Sequence, residues 1–184
     1  MKSYVLAIDQ GTSGSKAVLL DEQAEIAGVS EVFTIDPLKK DTGQVEYSPG
    51  KLLSSVIDAI HSAVKKTGVH PSEIASVGLA NQGETVIAFD RESGKPVYPA
   101  ISWLDKRNAD FAARLAADGC TGSIRDTTGL LPDPYFSAFK MKWILDNIPD
   151  AADLVMKDRL CLAASDSWLL RQLTGQRRPV TDYA

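Results

Sequence analysis

The pattern from Tyr4 to Leu20 constrains this chain most. An apolar run, Tyr4 to Ile8, ends in the acid Asp9. A small polar loop, Gln10 to Ser15, follows, and a second apolar run, Ala17 to Leu20, leads back. This predicts a strand, a tight turn and a second strand. The turn is rich in Gly, Thr and Ser, whose backbone N–H groups and hydroxyls can converge on an anion. Asp9 ends the first strand, where a carboxylate can hold a divalent cation directly or through water. Lys16 follows the loop and can meet a phosphate as a point charge. A Walker A loop is excluded. That motif needs Gly, four residues, then Gly-Lys-Ser/Thr, and it opens a helix. Here Gly11 and Gly14 are three apart and the following run is strand-like.

The remaining chain predicts alternating helices and strands. Asp21 to Gln23 reads as a turn and Glu25 to Phe33 as a third strand, which completes an antiparallel meander. Ile35 to Glu46 reads as a loop. Ser48-Pro49 starts a helix whose stripe is Leu52, Leu53, Val56, Ile57, Ile60 and Val64, and Gly68 stops it. Ile74 to Ala80 and Val86 to Phe89 read as buried strands, and Val97 to Trp103 as extended. Asp105 can cap a helix to about Ala117. Thr121 to Leu131 is short and mixed, and Pro132-Asp133-Pro134 is a rigid connection. Phe136 to Asn147 predicts a helix with Met141, Ile144, Leu145 and Ile148 inward. Leu160 to Ala163 predicts a buried strand, and Ser165 caps a helix that Gly175 ends. A meander followed by this alternation indicates an α/β domain with a mixed sheet flanked by helices.

Composition narrows the function classes. The chain has 184 residues, 44% hydrophobic and 24% charged, which suits one globular domain with a real core. The net charge is -4 with no basic stripe, which argues against nucleic acid as a partner. Cys120 and Cys161 lie far apart with no pairing or metal spacing and read as reduced thiols of a cytoplasmic protein. Residues 1–30 carry no signal-peptide pattern, and no apolar run is long enough for a membrane span.

The opening hairpin resembles the phosphate-binding hairpin of the actin, hexokinase and sugar-kinase superfamily. A second stretch is more specific. Tyr135, Ser137, Lys140, Met141, Trp143, Ile144, Asp146 and Asn147 resemble the signature of the FGGY family of carbohydrate kinases. Asn81-Gln82-Gly83-Glu84-Thr85 is similar to a glycerol-kinase segment in which Asn-Gln is followed by Arg-Glu-Thr. Gln82, Glu84 and Thr85 match, but Gly83 replaces an arginine that binds polyol hydroxyls in that relative. Trp103, Asp105 and Arg107 resemble a Trp-Asp-Arg spacing in the family's sugar kinases. Taken alone, Trp103 can also be read as a core residue, Asp105 as a helix cap, and Glu84 as a solvated loop acid. Thr181 to Ala184 resembles a further family segment.

The resemblance implies an actin-like ATPase, ribonuclease H-like fold and transfer of the ATP γ-phosphoryl group to a sugar or polyol hydroxyl. It implies that Asp9 positions Mg2+ and that Gly11, Thr12, Ser13 and Lys16 approach the transferred phosphate. It places Gln82, Gly83, Glu84, Trp103, Asp105 and Tyr135 at the acceptor. The family's general base is an aspartate beyond residue 184, and its adenine site lies further on. Residues 1–184 are therefore expected to be an incomplete N-terminal domain, lacking a second, ATP-binding domain and inactive alone. Two alternatives stay open: a glycerol kinase proper, and a non-catalytic binding or regulatory module derived from a kinase. Unpaired sheet edges predict self-association.

Overall fold

Strands dominate the first half of the chain and helices the second. A computed structural model describes residues 3–182, apart from the side chains of Lys39 and Lys40. Tyr183 and Ala184 of the family-like terminal segment lie outside the described residues. The strands are β1 (Tyr4–Gln10), β2 (Gly14–Leu20), β3 (Ile26–Val29), β4 (Phe33–Thr34), β5 (Lys39–Asp41), β6 (Gln44–Tyr47), β7 (Ile74–Ala80), β8 (Val86–Asp90), β9 (Ala100–Ile101) and β10 (Leu160–Ala164). The helices are α1 (Pro49–Thr67), α2 (Ala109–Ala117), α3 (Thr121–Thr128), α4 (Ser137–Asn147), α5 (Pro149–Met156) and α6 (Ser165–Thr174). The chain divides into two compact units. One comprises residues 1–36 and 48–82, the other residues 37–47 and 83–184.

The first unit is a mixed sheet in the order β3-β2-β1-β7, with β4 beside the start of β2. β1 runs antiparallel to β2 and parallel to β7. Tyr4, Leu6, Ile8 and Gln10 of β1 are buried while Val5 and Asp9 are exposed, the period of a strand with one covered face. α1 covers that face with Leu52, Val56, Ala59 and Ala63, all wholly buried and spaced for one helical stripe. Its ends form where the local signals predict. Ser48 Oγ accepts the Lys51 N–H, and Gly68 adopts a left-handed conformation at φ 69.

The third strand is shorter than expected. It breaks at Ser30, whose Oγ accepts the Ala17 N–H, so β3 and β4 become separate pieces on β2. β7 is not a buried strand. It ends its sheet, and Val77 is 58% exposed, because an apolar run alone does not reveal whether its outer face is covered.

The second unit holds the sheet β10-β8-β9-β6-β5, antiparallel throughout. β5 and β6 form a hairpin where the sequence suggests a loop. Thr42 and Gly43 both have positive φ, 43 and 81, as a two-residue primed turn requires. The stretch from Val97 pairs as a strand only at Ala100–Ile101, and Pro96 makes a single bridge to Phe89. Val86, Ala88, Ile101, Ile144 and Ala151 form a buried cluster in this unit. α4 presents Phe139, Lys140 and Ile144 inward, and Leu145 is 44% exposed. The inward face is thus rotated from the expected one: Lys140 occupies a buried position and Leu145 does not. α5, which the sequence pattern does not announce, begins at Pro149, a first-turn proline.

Candidate functional site

Close backbone approach shapes the turn between β1 and β2. The Gly11 N–H donates to the Gly14 carbonyl at 2.9 Å, and the Ile35 N–H donates to the Ser13 carbonyl at 3.0 Å. Gly14 pairs with Thr34 of β4. A Cβ added at Gly14 would lie 2.5 Å from the Phe33 carbonyl oxygen, so the position requires glycine. Gln10, wholly buried, donates to the Gly11 carbonyl at 2.8 Å. Gln82 Nε2 reaches both Gln10 Oε1 and the Gly11 carbonyl at 3.2 Å. Gln82, expected at the acceptor, thus braces this turn.

Thr12 is half-buried and Ser13 exposed at the tip. Asp9 and Lys16 are directly opposed across the β1–β2 register and so share one face of the sheet. Among the described residues, no group of three His, Cys, Asp or Glu side chains could hold a metal ion. A site here would suit Mg2+, which keeps most of its waters and needs only one or two carboxylates plus phosphate oxygens. Asp9 fits that requirement.

In the second unit, Trp103 and Tyr135 meet, and Glu84 is tied to Ser137, two residues beyond Tyr135. Glu84 is half-buried, and its Oε2 accepts both the Ser137 N–H at 2.5 Å and the Ser137 hydroxyl at 2.6 Å. The residue before α4, Phe136, makes no side-chain cap. Glu84 therefore caps the helix from a distant point in the chain, where a negative charge is favoured. Its other oxygen, Oε1, is not committed to these bonds. The Trp103 and Tyr135 rings meet edge to face, with centroids 5.9 Å apart. Tyr135 also packs on Phe136 at 5.2 Å and remains 44% exposed. The Trp103 N–H donates to Thr85 Oγ1 at 3.3 Å, which ties it next to Glu84 in the chain. In such a cluster a carboxylate can accept hydroxyls while aromatic rings cover C–H groups. Gly83 is exposed, and a Cβ there would meet no atom within 4 Å.

Asp105 is placed differently. Its Oδ1 accepts the Arg107 N–H at 2.9 Å and Arg107 Nε at 2.8 Å. Its Oδ2 accepts the Val45 N–H and Arg107 Nη2, both at 2.7 Å. Four bonds fill the carboxylate. Nor does it cap α2, which begins at Ala109 behind Asn108. The Arg107 guanidinium also bonds Glu46 at 2.6 Å and lies 4.3 Å from the centre of the Trp143 ring. Asp105 and Arg107 thus order the loop that carries Trp103.

Sequence reasoning assigns no role to Gly14, Gln10, Ser137 or Lys140. Ser137 and Lys140 stand in the family signature, but a helix pattern does not show which of its polar positions turn inward. Lys140 is 1% exposed, and its ammonium donates to the Tyr135 carbonyl. Burial pushes its pKa down to about 8, against the opposing pull of Glu84, Asp105 and Asp133.

The chain as a whole is similar to known proteins. Residues 4–184 match the model of the FGGY family of carbohydrate kinases, N-terminal domain. The glycerol kinase of Listeria welshimeri is 40% identical over 183 residues, which span 100% of this chain and 37% of that protein. The crystal structure of Plasmodium falciparum glycerol kinase with ADP aligns at TM-score 0.84 and 28% identity, over 95% of this chain and 35% of that one. The ligand-bound xylulose kinase of Lactobacillus acidophilus aligns at TM-score 0.81 and 19% identity, over 95% and 34%, a likeness of fold alone.

Proposed function

The chain belongs to the FGGY family of carbohydrate kinases, and from that premise we propose that it forms the N-terminal, acceptor-binding part of an ATP-dependent kinase of sugars or polyols. The observation that carries this reading is the cluster of Glu84, Trp103 and Tyr135, with one carboxylate oxygen held by Ser137 and the other left for a hydroxyl. In the proposed complex, Glu84 Oε1 accepts a hydrogen bond from the acceptor. Trp103 and Tyr135 cover its carbon skeleton.

The β1–β2 turn is proposed to face the transferred phosphoryl group through the hydroxyls of Thr12 and Ser13, while Gly11, whose N–H is taken by the Gly14 carbonyl, shapes the turn. Lys16 adds a positive charge. Asp9 would hold Mg2+, which supplies charge neutralisation on phosphate oxygens. The general base and the adenine site are proposed to lie in sequence outside these residues. This fits a chain that spans 37% of the curated relative it matches. On its own it would bind acceptor and not turn it over.

Gly83 bears on the substrate. A glycine has no guanidinium fork to donate to vicinal hydroxyls, and the open space beside it favours an acceptor larger than glycerol. The second reading is glycerol itself, supported by the name of the relatives at about 40% identity. Both are tested by assaying the gene product that carries this sequence with Mg-ATP and a panel from glycerol to pentoses and hexoses. The highest kcat/KM is expected with an acceptor longer than three carbons. A preference for glycerol would select the second reading.

A further inference from the structure

Lys140 is a buried cation at the edge of the proposed acceptor cluster, and the role argued for it rests on that reading of the cluster. It stands one helical turn beyond Ser137 on α4, and the two residues serve neighbouring parts of the cluster. Ser137 holds Glu84. The Lys140 ammonium holds the Tyr135 carbonyl. The segment before the helix is also fixed by Asp133: its Oδ1 accepts the Tyr135 N–H at 2.7 Å and its carbonyl accepts the Phe136 N–H at 3.1 Å. An ammonium is costly to bury. An apolar side chain would pack the inner face of α4 without that cost. The charge therefore matters through what it holds and through the acids around it.

We propose that Lys140 is a positioning residue for the acceptor: it fixes the Tyr135 main chain, and with it the ring that meets Trp103, and it supplies the positive charge beside Glu84. The charged groups that face it are Glu84 from the connection before β8, Asp105 from the loop after β9, and Asp133 from the segment before α4. Asp105 is already neutralised by Arg107. Loss of the Lys140 proton would leave the Glu84 carboxylate without this cation and weaken the hold on Tyr135. Because burial lowers its pKa to about 8, that loss falls within a range that an assay can cover.

The test uses the gene product that carries this sequence, with acceptor and Mg-ATP varied separately, and the variants K140M and K140R. Removing a charged hydrogen bond predicts a rise of about tenfold or more in acceptor KM for K140M. The KM for ATP should stay within about twofold, since the β1–β2 turn is untouched. K140R keeps the charge and should recover most of the loss. The wild-type acceptor KM should rise as pH passes about 8, and the rise should be absent in K140R, whose guanidinium stays protonated. Acceptor and ATP KM moving together in K140M, or an alkaline rise identical in wild type and K140R, would overturn the proposal. If K140M does not fold, the comparison of wild type with K140R still decides. A wild-type protein with no acceptor-dependent turnover overturns the kinase reading and this proposal together. An active wild type with an unchanged K140M overturns this proposal alone.

Discussion

Glu84 holds Ser137 with one carboxylate oxygen, and the proposed function gives the other to the acceptor. Oε2 caps α4 through Ser137, and Oε1 is assigned to the acceptor. E84Q keeps the size of the side chain but weakens its charge-assisted bonds. A charged hydrogen bond contributes about 1.5–3 kcal/mol, so E84Q is expected to lower kcat/KM for the acceptor roughly tenfold or more, with the ATP KM little changed. Steady-state kinetics with each substrate varied in turn would check this. Gly14 is limited by space. Its Cβ would meet the Phe33 backbone, which cannot move away without breaking the β2–β4 pairing. G14A is expected to cost about 1–3 kcal/mol, read as a lower midpoint in urea. Sequence made Glu84 legible through its neighbours Asn81, Gln82 and Thr85. It hid the demand at Gly14, because the atom that excludes a side chain belongs to Phe33, on a separate strand.

Among the elements, α1 was readable from end to end and α4 only in part. Ser48, Pro49 and Gly68 are local signals that act on the backbone beside them, so α1 followed directly. S48A is expected to cost about 1 kcal/mol through loss of its N-cap, again visible in the urea midpoint. α4 has no local cap. Its first turn is satisfied by Glu84, and its inward face includes Lys140, neither of which periodicity reveals. The β5–β6 hairpin hid behind Gly43, which reads as loop until Thr42 is also known to take positive φ.

A similar long-range tie joins the end of β8 to the start of β10. Arg159 bonds both oxygens of Asp90, and Ser93 bonds Oδ2. These bonds hold the Asp90 carboxyl well below its ordinary value of 3.8, against the opposing effect of burial. A carboxylate with a lowered folded pKa binds fewer protons in the folded state than in the unfolded one. Its stabilisation is therefore complete above about pH 4 and is lost as pH falls through the folded value. R159M should be less stable than wild type at neutral pH, and the gap should narrow steadily once the pH falls below about 4. A gap that is constant with pH in urea titrations would contradict the assignment.

At the scale of the whole molecule, the fold class was legible because the meander and the alternation that follows are both local patterns. The division into two compact units was not. Residues 37–47 leave the first unit and pair with strands formed after residue 83, a long-range choice that composition does not announce. Among the described residues no helix is long and apolar enough to cross a membrane. The two clusters belong to different units: the β1–β2 turn to the first, and Glu84, Trp103 and Tyr135 to the second. Phosphoryl transfer to an acceptor hydroxyl is the central claim of the proposed function. Its most direct test is acceptor-dependent ADP formation from Mg-ATP by the gene product that carries this sequence, measured across glycerol, longer polyols and sugars. ADP release that rises and saturates with one acceptor, and falls in E84Q, is the predicted result. A folded gene product that carries this sequence together with a general base and an adenine site, and still releases no ADP above background with any acceptor, would contradict the claim.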